Sequence, residues 1–340
     1  MTVTIKDIAR AAKVSHSTVS RALSGNSGIP EETAERIKKI ATRMGYVPSA
    51  VARSLKTNRS QVLGVIVSRI DDPFFSEILQ GIEDVIQAEG YSLFVAASNR
   101  DDAREKTIAQ TMLEHRVDGL IVGTTQFGEE HYNLLHQFGF PIVAVGNREL
   151  NGMQYTVYHD DIYGSSEVTR HLIELGHHRI GFLGNARAKR TTEGRLRGFQ
   201  QEMKAAKLAV RKEDIFVTEF DQIQGGEAGT QYFMNLPERP TAIMCFNDMM
   251  AIGMMKAFRL AGMKIPQEVS VVGFDDIPFA AYTSPSLTTF EQPKYQLGYE
   301  AAKMMSRLLH AESGAVLEGS QAKMLRGKLI IRETTASPGT

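Results

Sequence analysis

The sequence predicts an α/β protein in which an all-α head precedes a body of two doubly wound parallel-sheet subdomains. Three observations carry this reading. Residues 4–23, TIKDIARAAKVSHSTVSRAL, have the spacing of two short helices joined by a tight turn. From Ser60 onward, short runs of Val, Ile and Leu alternate with amphipathic stretches. Charge is divided along the chain, with 39 basic and 39 acidic residues overall but a net +7 over residues 1–60 and −7 thereafter.

The head comes first. Thr4 and Asp7 have capping-box spacing, which starts a helix at Ile5. Ile5, Ile8, Ala9 and Ala12 share one face at helical spacing. Lys13-Val14-Ser15 is the turn, and Ser15 caps a second helix in which Val19 and Leu23 face inward. His16, Ser17 and Arg21 are then left outward near its N-terminal half, as a recognition helix presents itself to base edges in the major groove. A third helix follows, with Pro30 in its first turn and Glu31 and Glu32 complementing the positive end of its dipole. Its buried stripe is Ile37, Ile40, Ala41 and Met44, and Gly45 ends it. A basic head on an acidic body is the asymmetry expected when one end meets phosphates.

Residues 48–60, PSAVARSLKTNRS, form a linker whose helical part, near 49–56, spans about two turns. A helix of that length does not hold alone in water, so it is expected to fold against a partner.

The body reads as two series. In the first, VLGVIV (62–67), YSLFVAAS (91–98), VDGLIVG (117–123) and FPIVAVG (140–146) are strands, with helices near 74–89 and 102–116. In the second, RIGFLG (179–184), DIFVTEF (214–220), TAIMCF (241–246) and VSVVGFD (269–275) are strands, with helices near 161–176, 192–206, 226–234 and 249–262. Continuous apolar strands separated by helices mean parallel sheets covered on both faces. Ligands of such sheets bind outside the carboxyl ends of the strands, which directs attention to Phe74, Phe75 and Phe220.

Length and composition bound the rest. The 340 residues suffice for two or three domains, and 42% hydrophobic content supplies a large core. Apolar runs are far too short to cross a bilayer, and the N-terminus lacks a signal-peptide h-region, so a cytoplasmic protein is expected. The single cysteine, Cys245, has no intrachain disulfide partner and reads as a small core residue. His177-His178 do not share a helix face and have no third ligand nearby, so a metal is not expected, nor any cofactor.

These features together resemble the lactose/galactose repressor (LacI/GalR) family of bacterial transcription factors. The matching blocks are TIKDIARAAKVSHSTVSRAL, SAVARSL, DPFFSEILQGIE (72–83), RVDGLIV (116–122), LGHHRIGFLG (175–184), GRLRGF (194–199), FNDMMAIG (246–253), VSVVGFDD (269–276), SPSLTTFEQP (284–293) and IIRETT (330–335). They run the full length of the chain. The resemblance implies a helix-turn-helix head over 1–47, a hinge over 48–60 and a periplasmic-binding-protein-like body over 61–340. Within the body it implies an N-subdomain of about 61–158 and 290–320 and a C-subdomain of about 159–289 and 321–340.

The family's base-reading positions fall on His16, Ser17 and Arg21, and its wider DNA-facing set on Thr4, Ser15, Thr18, Ser49, Ala52, Leu55 and Lys56. Leu55 matches the hinge leucine that wedges into the minor groove, where unstacking is offset by the contacts that bending allows. Lys13 stands where the family often carries Gly or Asn in a left-handed conformation, a strain of about 1 kcal/mol for a Lys.

Arg195, Asn247 and Asp275 map onto the family's polar ligand contacts, and Gln292 lies in the crossover between subdomains. Asn147, and after it Arg148, follow Gly146 at another such position. With the three phenylalanines the set suits a polyhydroxylated molecule: carboxylates accept hydroxyls, Arg and Asn donate, and rings cover apolar faces. Arg195 and Asp275 either hold a ligand or pair with each other. Lys189 and Arg190, beside Thr191, add charge near Arg195, which either favours a sugar acid or phosphate or is a solvated loop.

The expected function is a DNA-binding regulator, a repressor, that acts as a homodimer on a pseudo-palindromic operator under control of a small sugar-like effector. A transporter's solute-binding protein would lack the basic head. An α/β enzyme acting on a sugar would need a catalytic signature, and the chain has no Walker loop, no G-x-S-x-G elbow and no paired metal-ligand motif.

Overall fold

The computed structural model describes residues 3–24, 28–47, 59–123, 141–146, 154–311 and 321–339. The chain separates into two compact units, Met1–Ser60 and Gln61–Thr340.

The first unit holds helices α1 (Ile5–Ala12), α2 (His16–Leu23) and α3 (Glu31–Arg43). The capping box at Thr4 is present in both directions: the Asp7 amide donates to Thr4 Oγ1 and the Thr4 amide to Asp7 Oδ2. Ser15 Oγ accepts from the Thr18 amide and caps α2. Lys13 takes the left-handed conformation, with φ 53° and ψ 45°, and closes α1. Pro30 is the N-cap of α3, one residue before its first turn, because its ψ of 136° is not yet helical. Ile8, Ala9, Ala12, Val19, Ala22, Ile37 and Ala41 make the small core, with Leu23, Ile40 and Met44 packed partly buried against it.

The second unit contains two six-stranded sheets. The first has the order β11-β5-β4-β3-β1-β2, formed by β1 (Val62–Val67), β2 (Ser92–Ala97), β3 (Gly119–Gly123), β4 (Ile142–Gly146), β5 (Tyr155–His159) and β11 (Gln321–Leu325). All its pairings are parallel. Helices α4 (Pro73–Ala88) and α10 (Lys294–His310) cover one face, burying Ile78, Ile82, Leu297 and Met305 against Leu63, Val65 and Val143. Helix α5 (Asp102–Glu114) covers the other with Ala109 and Met112.

The second sheet has the order β12-β10-β9-β8-β6-β7, formed by β6 (Ile180–Asn185), β7 (Ile215–Thr218), β8 (Ala242–Cys245), β9 (Ser270–Asp275), β10 (Thr288–Glu291) and β12 (Lys328–Ile330). Helices α6 (Asp161–Glu174) and α7 (Lys189–Ala205) pack on one face through Val168, Leu172, Phe199 and Met203. Helices α8 (Gln222–Met234) and α9 (Asp248–Leu260) pack on the other through Phe233, Met250, Met254 and Phe258. Cys245 is a free, buried member of this core.

Two details depart from the expected plan. Residues 321–325, assigned above to the C-subdomain, pair parallel with β5 in the first sheet, Gln321 opposite Tyr155. The chain then returns, and Lys328–Ile330 adds the one antiparallel edge among the described strands, on β10. Between its halves the chain thus crosses three times: after β5, after β10 and after β11. No helix among the described residues is long and apolar enough to cross a membrane.

Candidate functional site

On the head, α2 divides cleanly. Val19 and Ala22 are buried, whereas His16, Ser17 and Arg21 are exposed, Arg21 one turn beyond Ser17. Ser15 Oγ lies 2.7 Å from Ser17 Oγ and 2.8 Å from Thr18 Oγ1, so its hydroxyl is engaged within the cap. Thr4 is exposed and Thr18 half-buried. The arrangement offers one uncommitted guanidinium, one imidazole and hydroxyls on a single convex face, a set suited to base edges and phosphates. Ser49, Ala52, Leu55 and Lys56 lie outside the described residues.

In the body, the carboxyl ends of the two sheets enclose a cavity with ≈ 650 Å³ of empty space, its open mouth included. From the first half come Asp72, Phe74 and Phe75 at the start of α4, Arg100 after β2, and His159 at the end of β5. From the second come Thr191 and Arg195 on α7, Asn247 at the start of α9, Asp275 at the end of β9, and Gln292 in the crossover. Phe74 and Phe75 meet edge to face at 5.1 Å.

Polar side chains wall the cavity. Arg195 is 3% exposed. Its Nε donates to Asp161 Oδ1 at 2.8 Å, and its Nη1 donates to the Phe246 carbonyl. Its guanidinium lies 3.8 Å from the ring centre of Phe274 and 4.8 Å from that of Phe246. Asp275 stands 3.8 Å from Arg195 Nη2, so the closer ion pair of Arg195 is with Asp161. His159 Nε2 reaches the same Asp161 oxygen at 2.9 Å. Burial alone would raise the Asp161 carboxyl, but the charges of His159 and Arg195 outweigh it and hold it below the ordinary range. Burial raises Asp275 well above that range, and Arg195 pulls against it. Gln292 Nε2 donates to Asp275 Oδ1 at 2.5 Å. Asn247 Oδ1 accepts from the Met250 amide and caps α9, which fixes its side chain at the cavity wall.

Four buried polar atoms around this cavity have no hydrogen-bond partner: Arg100 Nε and Nη1, His159 Nδ1 and Gln292 Oε1. Buried polar groups are nearly always satisfied, so four on residues that line one cavity set this region apart. Burial also pushes the Arg100 guanidinium down and the Asp72 carboxyl up. Across the mouth, Gln222 Nε2 donates to Asp72 Oδ2 at 3.0 Å, and Arg69 Nη1 lies 3.5 Å from Asp221.

Of the candidates named from sequence, Phe74, Phe75, Thr191, Arg195, Asn247, Asp275 and Gln292 come together on this wall. Two do not. Lys189 is exposed at the start of α7, 4.0 Å from Glu193, and is absent from the cavity lining. Its neighbour Thr191 is turned inward by the pitch of the helix. Phe220 is 57% exposed, in the loop after β7, and is likewise absent. Asn147 and Arg148 lie outside the described residues. Asp72, Arg100, His159 and Asp161 were not singled out in advance. Two carried a signal, because Asp72 and Arg100 each follow the end of a strand read from the sequence. His177, by contrast, joins Thr241 Oγ1 at 2.8 Å and the Ala336 carbonyl at 2.9 Å and ties down the C-terminal tail.

Residues 4–49 match the model for bacterial regulatory proteins of the lacI family, and residues 169–335 that for a periplasmic binding protein-like domain. The ribose operon repressor of Haemophilus influenzae is 33% identical over 98% of this chain and 99% of its own length. The HTH-type transcriptional repressor PurR of Photobacterium profundum is 34% identical over 89% and 90%. The lac repressor dimer bound to operator and the anti-inducer ONPF superposes with a TM-score of 0.86, at 25% identity over 99% of this chain and 100% of that one. A regulator from Enterococcus faecium with bound ribose gives 0.72, at 26% identity over 81% and 99%.

Proposed function

This chain belongs to the lacI family of bacterial regulatory proteins, and from that premise we propose a dimeric DNA-binding transcriptional repressor whose operator affinity is set by a small polyhydroxylated metabolite held between the two halves of the body. The observation that carries the effector reading is that Arg100, His159 and Gln292, which line one cavity with Asp275 and Arg195, each hold buried atoms without a hydrogen-bond partner. A sugar both donates and accepts through each hydroxyl and so satisfies such a mixed wall. Lys189 stands off a wall that carries the carboxyl groups of Asp72 and Asp275, which favours an uncharged sugar over a phosphate. The ribose in the Enterococcus relative makes ribose the first compound to test.

His16, Ser17 and Arg21 are the proposed base-reading side chains. Residues 48–60, with Leu55, are the proposed link through which effector and operator act on one another. Such coupling is reciprocal, so operator DNA shifts effector affinity by the same factor. The test is a thermal-shift screen of sugars, sugar acids, sugar phosphates and nucleobases, because a bound ligand raises the melting temperature by mass action. Operator titration with and without each hit follows. A melting temperature indifferent to every class would sink the effector reading. Sedimentation as a monomer at micromolar concentration would sink the dimer.

A further inference from the structure

The effector reading gives the Asp275 side chain a role but leaves its backbone unexplained. Asp275 and the following Asp276 have φ values of 121° and 53°. Two consecutive non-glycine residues in this region are strained, and such strain persists only where the surroundings over-determine it. Lys294, the first residue of α10, supplies that determination. Its Nζ donates to the Asp275 carbonyl at 2.7 Å and to the Asp276 carbonyl at 2.9 Å. It lies 3.3 Å from Glu77 Oε1, and its side chain is 2% exposed. An ammonium has three hydrogens; two go to these carbonyls, and the Glu77 carboxylate, on an element of the opposite half, lies at ion-pair distance.

The two carbonyls belong to the second sheet, at the end of β9. Glu77 belongs to α4, whose first turns carry Phe74, Phe75 and Ile78 on the cavity wall. Helices α4 and α10 touch backbone to backbone: a Cβ at Gly298 would stand 2.0 Å from the Ile78 carbonyl oxygen, and one at Gly81 would stand 2.2 Å from that of Tyr295. The lysine backbone therefore travels with α4, while its ammonium grips the loop that aims Asp275 into the cavity. The other charged groups near that loop are accounted for. Asp248 accepts from Thr289 and from the Ile277 amide, and Asp276 pairs with Arg332 at 2.7 Å.

We propose that Lys294 is a positioning residue that holds Asp275 in its strained ligand-facing conformation and passes effector occupancy to α4 through Glu77. The proposal rests on the cleft being the effector site, but half of it is testable in the empty protein. In Lys294→Met without any ligand, hydrogen exchange at the Asp276 and Ile277 amides should rise about tenfold or more, one hydrogen bond to a charged group being lost at each carbonyl. Amides of β8 should not change, and neither should Asp276 and Ile277 in Glu77→Gln. With D-ribose as probe, Lys294→Met should raise Kd about tenfold or more. Glu77→Gln should leave Kd within about twofold while shrinking the factor by which D-ribose changes operator affinity.

Unchanged exchange at Asp276 and Ile277 in Lys294→Met overturns the positioning role whatever D-ribose does. Wild-type coupling in Glu77→Gln overturns the transmission role, and that variant decides alone if Lys294→Met does not fold. Failure of every compound to bind the wild type counts against the effector reading instead, with the exchange result still deciding what Lys294 does.

Discussion

Arg195 donates its Nε hydrogen to Asp161 Oδ1 at 2.8 Å with both side chains more than nine-tenths buried. A buried pair of this kind is strongly destabilising to break, because the survivor is left charged without its partner, at about 3–5 kcal/mol. His159 offers Asp161 a second contact, which places Arg195→Met at the lower end. The urea midpoint of Arg195→Met should therefore fall by the equivalent of about 3 kcal/mol. The double variant with Asp161→Leu should recover part of the loss. A double variant worse than the single one would show that packing between Phe246 and Phe274, rather than charge, is what Arg195 contributes.

Arg100 is the opposite case. Two of its nitrogens are buried without a hydrogen bond, and burial holds its charge at a disadvantage. Arg100→Met should leave the melting temperature unchanged or raised while weakening D-ribose by about 10- to 100-fold, the value of one hydrogen bond to a charged donor. Calorimetric titration separates the two effects. A variant that binds as the wild type does removes Arg100 from the site.

Asp248 gives a pH dependence of definite sign. Burial pushes its carboxyl from the ordinary range up to about 7, against the bonds from Thr289 and Ile277. The folded state then keeps a proton that the unfolded chain releases near pH 4. Stability from this group is present in full below that pH and is lost as pH rises towards 7, with a slope of at most about 1.4 kcal/mol per unit. Asp248→Asn, which can donate to Thr289 and accept from Ile277, should match the wild type near pH 4 and exceed it at pH 8. Parallel denaturation curves across that range would refute the assignment.

In the head, Lys13 bears a left-handed conformation that glycine adopts freely. Lys13→Gly should stabilise the head by roughly 0.5–1 kcal/mol. Ser15→Ala should destabilise it by about 1 kcal/mol through loss of the α2 cap. Arg21→Ala should cost about 1–3 kcal/mol on operator and little on random DNA. Thermal melts test the first two, and salt-matched titrations of both DNAs test the third.

The legible part of the fold was the part written in apolar runs. VLGVIV became β1 residue for residue, and the other runs became strands within one or two residues at each end. What stayed hidden was polar, short or made of small residues. YTVYH (β5) and QAKML (β11) mix polar and apolar side chains, and KLI (β12) is three residues long. Helix α10 buries Gly298, Ala301 and Ala302 among its larger residues, a stripe too weak in hydrophobicity to announce itself. The cavity followed the same rule. Arg195, Asn247 and Asp275 were found through the family pattern, and Phe74 and Phe75 through the strand-end rule. His159 was missed because the strand that ends in it was missed. Asp161 was hidden because an acid at the start of a helix reads as a dipole partner, and only tertiary structure brings Arg195 to it.

The three crossings between the sheets bear on how such a molecule is inherited. Neither half is an uninterrupted stretch of chain, for each is assembled from pieces that the other half interrupts. A gene fragment ending before Gln321 would strip an edge strand from both sheets at once, and no single cut yields one intact lobe. Recombination can therefore exchange the head cleanly at residues 48–60, but it must pass the body on whole.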